Sequence, residues 1–166
     1  MTVEKKSQGL PFFSKLMFYG MNGFLLEIVF TALWYVVDPS YNHGWKLHGS
    51  TSLWSFPIYG FSIYFLEKIS DIIEPHLVLP LRAIIYVMWT YLWEYSCGYL
   101  LRFFDACPWD YKDYTTYHLH GLITFDYAPL WLIAVVMCEK ITIKIAKNLA
   151  YQSETELSGE QKIKSN

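Results

Sequence analysis

Four apolar runs, each long enough for a bilayer-crossing helix, alternate along this chain with shorter polar segments. They extend over about 14–37, 51–73, 81–104 and 122–144. At 1.5 Å per residue, runs of this length make helices of roughly 33–36 Å. The polar positions inside them fall on stripes. In the first run Gly20, Gly23, Glu27 and Thr31 recur at helical spacing, which puts them on one face. Small residues on a shared face let helices approach closely in lipid. The second run carries the stripe Ser52, Ser55, Tyr59 and Ser62. The third has a single carboxylate, Glu94, at its middle, where a charge exposed to lipid costs about 2.5–3.5 kcal/mol. Glu27 and Glu94 are therefore expected to face protein or a wet cavity. Pro57 and Pro129 lie inside the second and fourth runs and predict kinks, the first of them freeing the carbonyl of Leu53.

The runs are related by a duplication. Leu47-His48-Gly49, Pro57 and Glu67-Lys68-Ile69 are repeated at identical spacing by Leu119-His120-Gly121, Pro129 and Glu139-Lys140-Ile141. Tyr19, Met21, Glu27 and Asp38 fall at the spacing of Tyr86, Met88, Glu94 and Asp105. The expected fold is an all-α membrane protein of four transmembrane helices, built as two helical hairpins. An even number of spans per half makes the repeats parallel, with a pseudo-two-fold axis along the membrane normal. Glu27 and Glu94 then occupy equivalent depths. If their helices meet near that axis, like charges force at least one carboxyl to stay protonated. The pair, with Ser52, Ser55 and Asp126, forms the expected intramembrane polar seam. Either a structural hydrogen-bonded role or the handling of a substrate or proton suits these residues.

Composition supports the membrane reading. Apolar residues make up 54% of the 166 and charged ones only 17%, below the quarter usual for a soluble domain. The first apolar run outlasts a signal-peptide core and ends in Asp38-Pro39, so it reads as a retained span. Ten lysines and arginines, Lys5, Lys6, Lys15, Lys68, Arg82, Lys140, Lys144, Lys147, Lys162 and Lys164, go with the N-terminus, the second loop and the tail, while the other two loops hold three, Lys46, Arg102 and Lys112. The positive-inside rule places both termini, the segment 1–13 and the tail 147–166, in the cytosol. The tail, almost free of apolar residues, is expected to be disordered.

Other chemistry is thin. A net charge of −2 is too small to imply nucleic acid as a partner, and none is expected. Cys97, Cys107 and Cys138 form no disulfide framework, and no phosphate-binding loop is present. His43, His48, His118 and His120 fall on the outer side without the spacing of a zinc site, so no metal or cofactor is expected. Ser96 and Glu94 point apart on their helix and make no nucleophilic pair, so the chain reads as no enzyme. Glu67-Lys68 and Glu139-Lys140 read as interfacial charges.

The strings TYLWEYSCGYLLRFFDACPWDY, GSTSLWSFPIYG and GLITFDYAPLW resemble the vertebrate transmembrane protein 229 family, its B member in particular, over about residues 15–145. That family is similar in turn to bacterial proteins labelled type IV ABC-transporter permeases. The resemblance implies four spans and transport without a defined activity. It carries over to Glu27, Gly49, Trp54, Glu94, Gly98, Arg102, Cys107, Pro108, Trp109, Asp110, Gly121 and Asp126. Two functions follow as expectations. One is a transporter-like or permease-like component with an intramembrane Glu pair. The alternative is a non-transporting accessory or scaffold protein. Expected partners are the lipid bilayer and either a second copy or a larger membrane protein.

Overall fold

The computed structural model describes residues 10–37 and 44–149, and it is mostly helical. Helix α1 spans Phe12–Val37, α2 Ser55–Ile73 and α3 Leu79–Phe103. A short antiparallel ladder follows, β1 (His118–Leu119) against β2 (Ile123–Thr124), with His118 opposite Thr124. Helix α4 (Ala128–Met137) widens into a π-helical stretch, Cys138–Ile143, and continues as α5 (Lys144–Asn148). Among the described residues one helix, α1, is by length and composition long and apolar enough to cross a membrane.

The packing of α1 on α2 follows from its glycines. A Cβ on Gly20 would meet the Phe56 carbonyl oxygen at 2.9 Å, and one on Gly23 would overlap the root of the Tyr59 side chain. Gly60 lets α2 return the approach against the Leu16 carbonyl. The expected small-residue stripe therefore forms the α1–α2 contact, where the absence of side chains brings two backbones together. Between α2 and α3 the indoles act as polar rivets. Trp93 Nε1 donates to the Ile58 carbonyl at 3.0 Å and Trp89 Nε1 to the Ser62 carbonyl at 3.2 Å.

Around an apolar core, many large apolar side chains are exposed and several charged ones are buried, a pattern unusual for a water-soluble bundle. Met21, Leu25, Leu33, Met88 and Leu92 point outward, Met88 with 65% of its surface exposed. Inside lie Glu67, Ser70, Arg82, Glu139 and Thr142, with Glu67 only 2% exposed. Tyr19, Tyr86, Leu66, Ala83 and Ile143 complete that interior.

Two expected helices start late. Residues 51–54 precede α2, with Ser52 O accepting from Ser55 N–H and Ser52 Oγ from Trp54 N–H. Pro57 thus sits in the first turn, where a missing N–H would have had no partner anyway, so it makes no kink. The Leu53 carbonyl accepts from Phe56 N–H at 3.3 Å and is not freed. Residues 122–127 likewise belong to the β-ladder and its exit turn, and Pro129 opens α4. The backbone irregularity of the last helix lies at Cys138–Ile143 instead. Asp38, Pro39, His43, the lysines of the first nine residues and the tail from Ala150 lie outside the described residues, whereas Lys147 and Asn148 close α5.

Candidate functional site

Three polar clusters are stacked along the helices. The middle one contains the two expected acids. Glu94, half-buried on α3, accepts a hydrogen bond at its Oε1 from the Tyr111 hydroxyl at 2.8 Å. Its Oε2 is buried with no donor on it. Glu27, half-buried on α1, is hydrogen-bonded to the Tyr59 hydroxyl and lies within electrostatic reach of Glu94. Tyr127, just before α4, meets the Tyr111 ring edge-on at 6.1 Å between centroids and the Trp34 ring at 5.4 Å. The two carboxyls are thus enclosed by tyrosines from α2, the third loop and the head of α4.

The upper cluster positions Tyr111. At the end of α3, Arg102 Nη1 donates to the His120 carbonyl at 2.5 Å and Nη2 pairs with Asp110 Oδ2 at 2.8 Å. Asp110 Oδ1 accepts from Lys112 N–H at 3.1 Å. That N–H holds the Asp110 carboxyl below the ordinary aspartate value, aided by the charges of Arg102 and Lys112. The Tyr111 N–H donates to the Gly121 carbonyl at 2.9 Å, and Trp109 Nε1 to the Leu122 carbonyl at 3.1 Å. Gly121, at φ +69°, brings its bare Cα against the Asp110 carboxylate. Gly98 does the same on α3, where a Cβ would meet Leu122 at 2.7 Å and Trp109 at 2.9 Å. The Cys107 thiol donates to the Trp109 carbonyl at 3.3 Å. Burial pushes the Tyr111 hydroxyl well above the usual phenol value, and the adjoining Glu94 carboxylate adds to the effect.

The lower cluster holds two buried ion pairs. Lys15 Nζ lies 2.6 Å from Glu67 Oε1, while the Tyr19 hydroxyl donates to Glu67 Oε2 at 2.9 Å. Arg82 forks onto Glu139 at 2.6 and 3.3 Å and also donates to the Leu77 and Glu74 carbonyls. Tyr86 and Ser70 are buried beside that second pair.

Residues 14–159 match the family model described as "Putative ABC-transporter type IV". The chain belongs to that family. No solved structure matches it.

Against this frame of a type IV ABC-transporter family member, the expected seam changes composition. Glu27 and Glu94 share one polar environment, and Ser55 is buried at the head of α2. Ser52 turns its hydroxyl onto the Trp54 N–H before α2 begins. Asp126 is exposed and accepts from the N–H groups of Thr116 and Tyr117, tying the third loop to itself. It leaves the seam because residues 122–127 are not helical. Trp54 is half-exposed, and Gly49 packs bare against the Ile28 carbonyl. Gly98, Arg102, Cys107, Trp109, Asp110 and Gly121 converge on one knot, with Pro108 in its turn. The interfacial assignment of Glu67 and Glu139 is overturned, since each is buried against a cation. Sequence reasoning also overlooked Lys15 and Arg82, whose spacing to Tyr19 and Tyr86 repeats in step with the duplication.

Proposed function

We propose that this chain is a four-span membrane component of transport type, non-enzymatic, in which Glu27 and Glu94 line the polar route. The observation carrying this reading is the burial: large aliphatic side chains cover much of the outside, while the charged Glu67, Glu139 and Arg82 lie inside beside the apolar core. In water that surface would drive association, whereas in a bilayer it is the wetted face. Membership of the transporter family supports the same reading. The B-type resemblance to transmembrane protein 229 fits it, as does the repeated Tyr–Glu register of the two halves. Lys68, Lys140, Lys144 and Lys147 near the ends of α2 and α5, with Lys5, Lys6, Lys162 and Lys164 at the chain's ends, support cytosolic termini.

Single cysteines, in a chain with Cys97, Cys107 and Cys138 replaced by serine, test the topology. Lys112→Cys is expected to react with an impermeant maleimide on intact cells, and Lys147→Cys only after permeabilisation. Labelling of both from one side refutes the two-hairpin arrangement. In proteoliposomes, Glu94→Gln with native folding is expected to abolish solute- or proton-coupled flux. Absence of any flux in the wild type, with stoichiometric co-purification of another membrane protein, favours the accessory role instead.

A further inference from the structure

Apart from the exposed Asp71, which pairs with Lys147, the carboxylates within helices α1 to α4 and the π stretch are Glu27, Glu67, Glu94 and Glu139, and they are of two kinds. Glu67 and Glu139 each face a cation at 2.6 Å. Among the described residues, Glu27 and Glu94 form no ion pair at all. Instead they are surrounded by phenols. Tyr59 comes from α2, Tyr91 from α3, Tyr111 from the third loop and Tyr127 from the head of α4. The Tyr91 hydroxyl is committed elsewhere, donating to the Thr124 carbonyl at 3.0 Å. The Tyr111 hydroxyl satisfies Glu94 Oε1, which leaves Oε2 buried and without a donor. An unsatisfied buried carboxylate oxygen is expensive, and a second carboxylate nearby makes it more so. What the site lacks is one positive charge able to donate a hydrogen bond to that oxygen.

We propose that Glu94 and Glu27 together hold one exchangeable monovalent cation that donates hydrogen bonds, supplied either as a proton or as an ammonium-type ion. A proton adds to a lone pair of Glu94 Oε2, turning that oxygen into a donor toward Glu27. The bulk loses one proton, and the pair then carries one negative charge in place of two. An ammonium ion would make the same hydrogen bond and turn its remaining N–H groups to Glu27 and the tyrosine rings. Calcium and magnesium are poor fits, since they demand six or more oxygen ligands or a strict octahedron. The inference takes the four-span reading as its setting, but its test reads binding and uses no flux. A protein that binds the cation and transports nothing would sink the proposed function and leave this site standing.

The test is infrared difference spectroscopy on the full chain in detergent, following the carboxylic-acid C=O band through a pH titration. Wild type is expected to show a titrating band that disappears in Glu94→Gln and shifts in frequency in Glu27→Gln. Ammonium chloride in place of sodium chloride at equal ionic strength distinguishes the two sources. Loss of at least half of the band on adding ammonium assigns an ammonium-type occupant, and an unchanged band assigns the proton. If Glu94→Gln does not fold, Tyr111→Phe serves in its place. It keeps both carboxyls but removes the donor on Oε1, so the titration midpoint must move. A band indifferent to Glu94→Gln, a midpoint unmoved in Tyr111→Phe, or no titrating band with no response to ammonium would overturn the proposal.

Discussion

Cutting the Arg82–Glu139 fork is expected to be among the most damaging single changes in the interior. The pair is 2.6 Å apart with side chains only 8% and 4% exposed, so water cannot take over from a missing partner. Removing one member of such a pair costs about 3–5 kcal/mol, most of it the penalty of the orphaned charge. Glu139→Leu should fall near the lower bound, because the guanidinium keeps the Leu77 and Glu74 carbonyls as acceptors. Arg82→Met should fall near the upper bound. It strands those two carbonyls as well, each worth roughly 0.5–1.5 kcal/mol, and leaves the half-exposed Lys140 as the cation beside Glu139. The double variant removes both charges and should be less damaged than the sum, with a coupling of about 2–3 kcal/mol. Equilibrium unfolding in mixed micelles, followed by tryptophan fluorescence, measures all four corners of the cycle. A coupling under about 0.5 kcal/mol would mean that the two side chains act independently and that the fork contributes nothing specific.

Gly23→Val should separate α1 from α2, since its branches would occupy the root of Tyr59; a loss of about 1–3 kcal/mol in the same unfolding assay is expected. Gly121→Ala should destabilise the third loop by about 1–2 kcal/mol from the left-handed backbone alone, with the Asp110 carboxylate displaced in addition. That displacement should speed hydrogen exchange at the Tyr111 amide. The Asp110 carboxyl titrates below the ordinary aspartate value, so its contribution to the loop is complete above about pH 3.9 and fades as pH falls through the depressed value. Protection of the Tyr111 amide should therefore be flat from neutral pH down to that point and collapse only below it. Asp110→Asn should remove the acid step.

Helix existence and helix ends had different legibility. The apolar runs announce α1 and α3 to within about two residues at each end, because apolar length and composition are written into nearly every position of the run. The starts of α2 and α4 were misjudged by several residues because the same apolar residues also suit a turn or a short ladder. There the decision passes to local backbone chemistry. Leu47, His120 and Gly121 adopt left-handed φ, and Ser52 competes for backbone N–H groups, all before the helix can nucleate. Proline was read as a breaker when its position within the run, early, made it an initiator. The π stretch at Cys138–Ile143 has no comparable signal in the sequence; it lies where Glu139 turns to meet Arg82.

Charge pairing shows the deeper limit. Spacing along the chain identified Glu27 with Glu94 and Glu67 with Glu139, but a repeat relates residues that are alike and says nothing of what each faces. Lys15 is 52 residues from Glu67, and Arg82 is 57 from Glu139. Their partnership becomes visible only when the two registers are superposed, cation four before tyrosine in one helix and glutamate in the next. Counting Lys15 and Arg82 as topogenic surface charge hid this, since the positive-inside rule weighs a lysine without asking whether it is buried. The consequence is functional. Internal cations neutralise the lower acids, so that level is a lock within the fold. Among the described residues, the middle acids have phenols for neighbours and no cation, the contrast on which the proposed exchangeable cation rests.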